Sequence, residues 1–211
     1  MEQLLEKIAT NDFEGFTTEW EKIQEELDES DRQTLVEQII AYHYDEKEFP
    51  YFKKVLDLII TPGFNLNFHT EHWAPTLLCL AVHVVSFDLF DFFLSKGADI
   101  NFIGDPYAHE EDDYIQNELK LEDRRFTTCL DFAQMKLDGL LGSDYQYQRP
   151  DWTGIDTTWA EIEPREEFTT SKRYYAYILE QAQYLYELIH LNILVAHIRK
   201  LGGKGFLELN G

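Results

Sequence analysis

Two stretches of the chain end alike, and that likeness limits the fold more than any other feature. VLDLIITPGFNLN (55–67) and LFDFFLSKGADIN (89–101) each carry apolar residues at helical spacing up to a glycine, followed by a short turn that closes on asparagine. Gly63 and Gly97 lie 34 residues apart. A glycine just past a helical run reads as a helix stop, because it takes the left-handed backbone that ends a helix at no steric cost. Recurrence at a period of about 33 residues marks a helix pair used more than once. Such a unit cannot bury its apolar face alone, so neighbours must stack on it.

The remaining sequence has the same helical grain. Leu4, Leu5 and Ile8 share one face of a short first helix, with Asn11–Gly15 as the break, and Phe16, Trp20, Ile23 and Leu27 follow at helical spacing. Ser30 and Asp31 offer an N-cap for a helix carrying Leu35, Val36, Ile39 and Ile40. Pro50 opens the next helix and Pro62–Gly63 ends it. Thr76 to Val85 reads as a buried helix, with Phe87 to Lys96 as its partner. Thr128 to Leu141 is a further helix, and 172–201 is one long run rich in Tyr, Leu and Ile, stopped by Gly202–Gly203. No alternating strand pattern of useful length occurs, so an all-α fold of short antiparallel helices is expected.

The residues of 76–101, TLLCLAVHVVSFDLFDFFLSKGADIN, resemble an ankyrin repeat of the form T-P-L-H-x-A-A, second helix, L-L-x-x-G-A-D-x-N. Thr76, Leu78, Leu80, Ala81, Leu94, Gly97, Ala98, Asp99 and Asn101 fall on that pattern without a gap. Leu77 stands for its Pro, Cys79 for its His, and Val84–Val85 where Asn-Gly is usual. TCLDFA (128–133) is similar to the same opening, and AHIRKLGGK (196–204) to the close of a final bacterial ankyrin repeat. The resemblance implies one ankyrin-type α-solenoid over 1–211, built of antiparallel helix pairs with two long insertions. Residues 1–28 would be N-terminal capping helices, 30–67 a degenerate repeat and 68–101 the best-matching repeat. An insertion at 105–124 would precede a terminal repeat, 127–204, itself interrupted by 142–171.

Charge follows those divisions. The chain carries 40 Asp+Glu against 18 Lys+Arg, a formal net charge of −22. Residues 1–48 hold −11 of it, 105–124 hold −6 and 142–171 hold −5, so all other residues sum to zero. Such a balance repels nucleic acid and anionic lipid and favours a basic partner. With 44% hydrophobic and 15% aromatic residues, the chain is too apolar to be a disordered acidic tail. Long loops in compact domains are usually functional or disordered, and these two join acids to aromatics. Tyr107, Glu110, Glu111, Asp112, Asp113 and Tyr114 in the first, and Trp152 and Trp159 in the second, are the expected partner-binding residues. Alternatively, the aromatics fold back as anchors and the acids serve solubility alone.

Catalytic chemistry is poorly represented. His69 and His72 flank Glu71 and would need a third ligand to hold zinc, so a metal-dependent enzyme is the remote alternative and no metal or cofactor is expected. HEEDD (109–113) lacks calcium-loop spacing, and Gly202–Gly205 follows a helix instead of opening one. Cys79 and Cys129 fall at helix starts, where burial as reduced thiols is expected, in a cytoplasmic protein. The apolar run Leu77–Val85 is far short of the roughly 20 residues of a membrane span, and the N-terminus lacks secretory character. The expectation is a protein-binding module. Resemblance and charge together imply an acidic inhibitor, of the kind bacterial ankyrin proteins supply as immunity proteins against basic toxins. A purely structural scaffold is the second reading.

Overall fold

The computed structural model describes residues 1–70, 74–105, 127–142 and 185–210. Among these there is no strand. Helices α1 (Glu2–Ala9), α2 (Phe13–Ile23), α3 (Glu29–Gln38), α4 (Phe49–Ile59), α5 (Leu77–His83), α6 (Phe87–Ser95) and α7 (Cys129–Gly142) follow in order. Residues 185–200 form a further helix, α8, and Phe206–Asn210 a last short one, α9. Helix α3 runs on as a π-helical turn, Ile39–His43, and a 3-10 turn, Glu46–Glu48, leads into α4.

Side chains start these helices in the expected manner. Thr76 accepts the amide of Cys79, Ser86 that of Leu89 and Asp12 that of Gly15. One expected cap is displaced. Ser30 and Asp31 lie inside α3, and the capping residue is Asp28, which forms a reciprocal capping box with Asp31. The first interhelix break is also shorter than expected, because Gly15 already belongs to α2.

Four helix ends, those of α1, α5, α6 and α8, share one geometry. Gly97 (φ 101°) donates to Leu94 O and Ala98 to Phe93 O; Gly202 (φ 91°) donates to Arg199 O and Gly203 to Ile198 O. These are the paired bonds that close a helix on a left-handed residue. Asn11 (φ 53°) ends α1 in the same manner, and so does Val85 (φ 56°) after α5. A β-branched residue in that region is strained, and Val85 is held there with its side chain 5% exposed in the core.

The helices pair and then stack. Contacts join α1 to α2, α3 to α4 and α5 to α6. One row is formed by α1, the 39–43 turn, α5 and α7; a second row runs through α2, α4 and α6. Helix α8 extends the second row: His197 Nε2 lies 2.7 Å from Asp91 Oδ1, and the Phe87 ring meets both His190 and His197. Between the rows lies a continuous core that includes Leu35, Phe52, Leu56, Leu80, Phe90, Phe93, Leu191 and Ile198. Residues Leu77 to Val82 are all buried, so α5 has no solvent face.

A polar ladder sets the stacking. Asn67 Oδ1 accepts the amide of Asp99 at 2.8 Å, and Asn101 Oδ1 accepts the amide of Lys204 at 2.8 Å. Asn67 and Asn101 stand four residues after Gly63 and Gly97, while Asp99 and Lys204 stand two after Gly97 and Gly202. Each turn therefore grips the next at the same place. Asn65 and Asp99 also accept the amides of Asn67 and Asn101 within their own turns. Replacing Asn101 by Ala removes the acceptor for Lys204, with an expected loss of about 1 kcal/mol of stability. Urea denaturation checks this, and an unchanged midpoint would show that the ladder is not holding the stack.

Candidate functional site

Two short stems are closed by single backbone bridges. His69 pairs with Thr76 as an isolated antiparallel bridge, and Gly104 pairs with Thr127. Advancing the first strand by the 34-residue period, and the second by the 52 residues from Thr76 to Thr128, maps one bridge onto the register of the other. The residues that flank the acidic insertion thus pair in the same register as those that flank 70–75. Gly104 and Thr127 exchange both backbone hydrogen bonds, at 2.8 and 2.9 Å. In the shorter loop Thr70 Oγ1 donates to Ala74 O. Gly104 is buried, and a Cβ there would come within 2.6 Å of Thr76 Cγ2 and 2.7 Å of Pro75 Cβ. Close packing of the two stems requires glycine at this point.

All eight expected partner-binding residues lie outside the described residues: Tyr107, Glu110, Glu111, Asp112, Asp113, Tyr114, Trp152 and Trp159. His72 does too. His69 is described: its Nδ1 accepts the amide of Asp105 at 3.2 Å and its ring packs against Phe102. That nitrogen helps tie the two stems together. Among the described residues no three His, Cys, Asp or Glu side chains gather as a metal site. Cys79 and Cys129 are both buried, and burial pushes the Cys79 thiol up to about 12. Cys129 Sγ donates to Ile100 O. Burial likewise raises its thiol. A raised thiol is a poor nucleophile.

The acidic N-terminal block is described, and most of its carboxylates face solvent. Glu2, Glu6, Glu14, Glu21, Glu25 and Glu26 are exposed along α1, α2 and the turn after α2. None forms an ion pair among the described residues. Three of the four bases of the same block are engaged locally: Lys7 with Asp12, Lys22 with Glu19, and the Arg32 guanidinium over the Trp20 ring. Further along, Lys53 and Lys96 both reach Asp57 at 2.6 Å. The array therefore neutralises its own charge in the middle and leaves carboxylates uncompensated at its N-terminal end.

Where α5, α7 and α8 meet, the polar groups serve the fold. Lys136 Nζ donates to His83 O at 2.8 Å, capping the C-terminal end of α5. Burial lowers the Lys136 ammonium, opposed by Glu187. Burial and the Lys136 charge hold the His83 imidazole below its ordinary range. Asp131 Oδ2 collects the Thr128 amide, the Thr128 hydroxyl and the Phe206 amide, tying α9 back to the start of α7. The Tyr44 hydroxyl meets Ser86 Oγ at 2.6 Å, and burial raises it to about 12. No helix among the described residues is long and apolar enough to cross a membrane.

No protein-family model, curated protein or solved structure matches this chain. Its function must be read from its own residues.

Two predictions follow from the stems and the buried imidazole. Gly104→Ala forces its methyl onto Pro75 and Thr76, with an expected loss of about 1–3 kcal/mol by thermal denaturation; full retention of stability would contradict the close packing. His83 is harder to protonate folded than unfolded. The unfolded chain therefore binds more protons as pH falls through about 6.5, and stability drops there. His83→Gln is expected to remove part of that acid-side drop in urea midpoints measured above and below this pH. An identical drop in the variant would mean that other groups produce it.

Proposed function

We propose that this chain is an ankyrin-type α-solenoid that acts as a protein–protein interaction module, an acidic inhibitor of a basic partner protein, of the immunity type. The observation that carries the reading is the segregation of charge. A neutral stack held by an asparagine ladder displays uncompensated carboxylates on α1 and α2, and carries its acidic 105–124 insertion between residues paired by a backbone bridge.

The physics suits an inhibitor that covers a cationic surface. Clustered charge steers encounter and raises association rates by orders of magnitude at low salt. Carboxylates fixed on helices lose less freedom on binding than the same groups on an open chain. Tyr107, Tyr114, Trp152 and Trp159 would supply the apolar anchors that charge alone cannot. Two buried thiols suit a reducing cytoplasm. The reading assigns no catalytic residue and no cofactor.

Capture on the immobilised full chain at low salt, with mass spectrometry of the bound fraction, is the test. A discrete basic protein is expected, eluting as salt rises. Its affinity is expected to fall at least about 10-fold when Glu110→Gln, Glu111→Gln, Asp112→Asn and Asp113→Asn are combined. Retention of every basic protein alike, or of a specific protein indifferent to salt and to these substitutions, would overturn the electrostatic reading and leave the acids as solubilising groups.

A further inference from the structure

A cavity of about 220 Å³ opens at the acidic end of the stack. Leu27, Glu29 and Arg32, from the turn after α2 and the start of α3, line one part of it; Thr61, Pro62 and Phe64, from the turn after α4, line the rest. Its walls are tied in place. Glu29 Oε1 accepts the Asn65 amide at 2.9 Å, and Gln33 Nε2 donates to Asn65 O at 3.2 Å, so α3 grips the turn after α4. Arg32 is held by Gln24 O, to which its Nη2 donates at 2.5 Å, and by the Trp20 ring, 5.6 Å away. Its Nε is buried with no acceptor among the described residues. The fold therefore leaves part of a five-donor guanidinium unfilled.

We propose that this cavity receives a tyrosine side chain of the basic partner, one with lysine or arginine on either side of it in the partner's sequence. Size, lining and charge each select that occupant. A cavity of about 150 Å³ holds benzene, so this one takes a substituted ring. Leu27, Pro62 and Phe64 supply apolar contacts, and Arg32, already over one ring, can stack on a second. A phenol also brings an oxygen that accepts from a guanidinium donor, which a plain ring does not. Residues 24–32 carry Glu25, Glu26, Asp28, Glu29 and Asp31 against Arg32, a net of −4, and residues 60–68 carry no Asp, Glu, Lys or Arg. Glu25, Glu26, Asp28 and Glu29 are exposed. These carboxylates attract cations to the surroundings of the cavity, while Arg32 in its wall disfavours a bare ammonium or guanidinium inside. A neutral ring flanked by bases meets both conditions. The inference rests on the reading of a basic partner and adds to it a point of apolar contact among the described residues.

Titration of the isotope-labelled full chain with the amidated pentapeptide KRYRK, followed by amide chemical shifts, is the test. Saturable shifts are expected at Leu27, Thr61, Gly63 and Phe64. The peptides KRARK and SSYSS are each expected to bind at least about 10-fold more weakly. Thr61→Trp, at an exposed position, fills the cavity with the chain's own ring and is expected to weaken KRYRK by a similar factor. Arg32→Gln provides a second variant, expected to weaken KRYRK and to leave KRARK no weaker. Equal binding of KRYRK and KRARK, indifferent to both variants, overturns the tyrosine site and leaves a partner read by charge alone. Equal binding of SSYSS and KRYRK overturns the selection by basic flanks. Unmoved shifts at all four amides with millimolar KRYRK overturn the proposal, whatever basic protein is captured on the full chain.

Discussion

Two hydrogen bonds between successive turns, from the Asp99 amide to Asn67 and from the Lys204 amide to Asn101, fix what the hydrophobic effect alone leaves open. Burial of Phe52, Phe90, Phe93 and Ile198 favours stacking but is non-directional, and it would accept many sliding or tilted arrangements. The ladder accepts one. Asn67 reaches its place from a different helix end, since α4 stops at Ile59 and a Thr61–Phe64 turn with Gly63 at φ 96° follows; α6 and α8 end in one left-handed conformation. Gly97 and Gly202 adopt that end without strain; Val85 adopts it between α5 and α6 with its side chain locked in the core. The hairpin stems then follow, since His69–Thr76 and Gly104–Thr127 share a register only if their parent turns are stacked alike.

Placing a charge of −22 on a protein of this size has a cost, because self-repulsion opposes compaction. The arrangement limits that cost by confining the excess to one end and to insertions. Inside the array, Asp57 is shared by Lys53 and Lys96, and His197 meets Asp91 where α8 joins α6. These exposed pairs contribute little individually. Their effect is to keep the stack neutral while its N-terminal end stays acidic, which is the asymmetry a steering surface requires.

Much of the fold was legible in the sequence. The glycine stops at 97 and 202, the buried α5 and the helical character throughout all follow from local rules that act over a few residues. Local rules also explain the misplacement at α3: Ser30 and Asp31 are acceptable caps by type, but Asp28 stands three residues before an acid that completes the box. The ladder was not legible, because its bonds span 32 and 103 residues and nothing about Asn67 or Asn101 in isolation names a distant amide. Helix α8 was visible only as part of a long periodic run. Its inward face emerges once Leu191, Leu194 and Ile198 are known to be buried. The charge map located the acidic insertions from residue counts, and their side chains lie outside the described residues.

The central claim is that the turns are locked to one another, making a neutral stack a rigid platform for acidic surfaces. Amide hydrogen exchange tests it most directly, because Asp99 is exposed and Lys204 lies on a surface loop, where amides ordinarily exchange fast. The account predicts that both amides are protected nearly as well as the core of α5, and that Asn67→Ala selectively releases Asp99. Rapid exchange at both positions in the unaltered chain would contradict it.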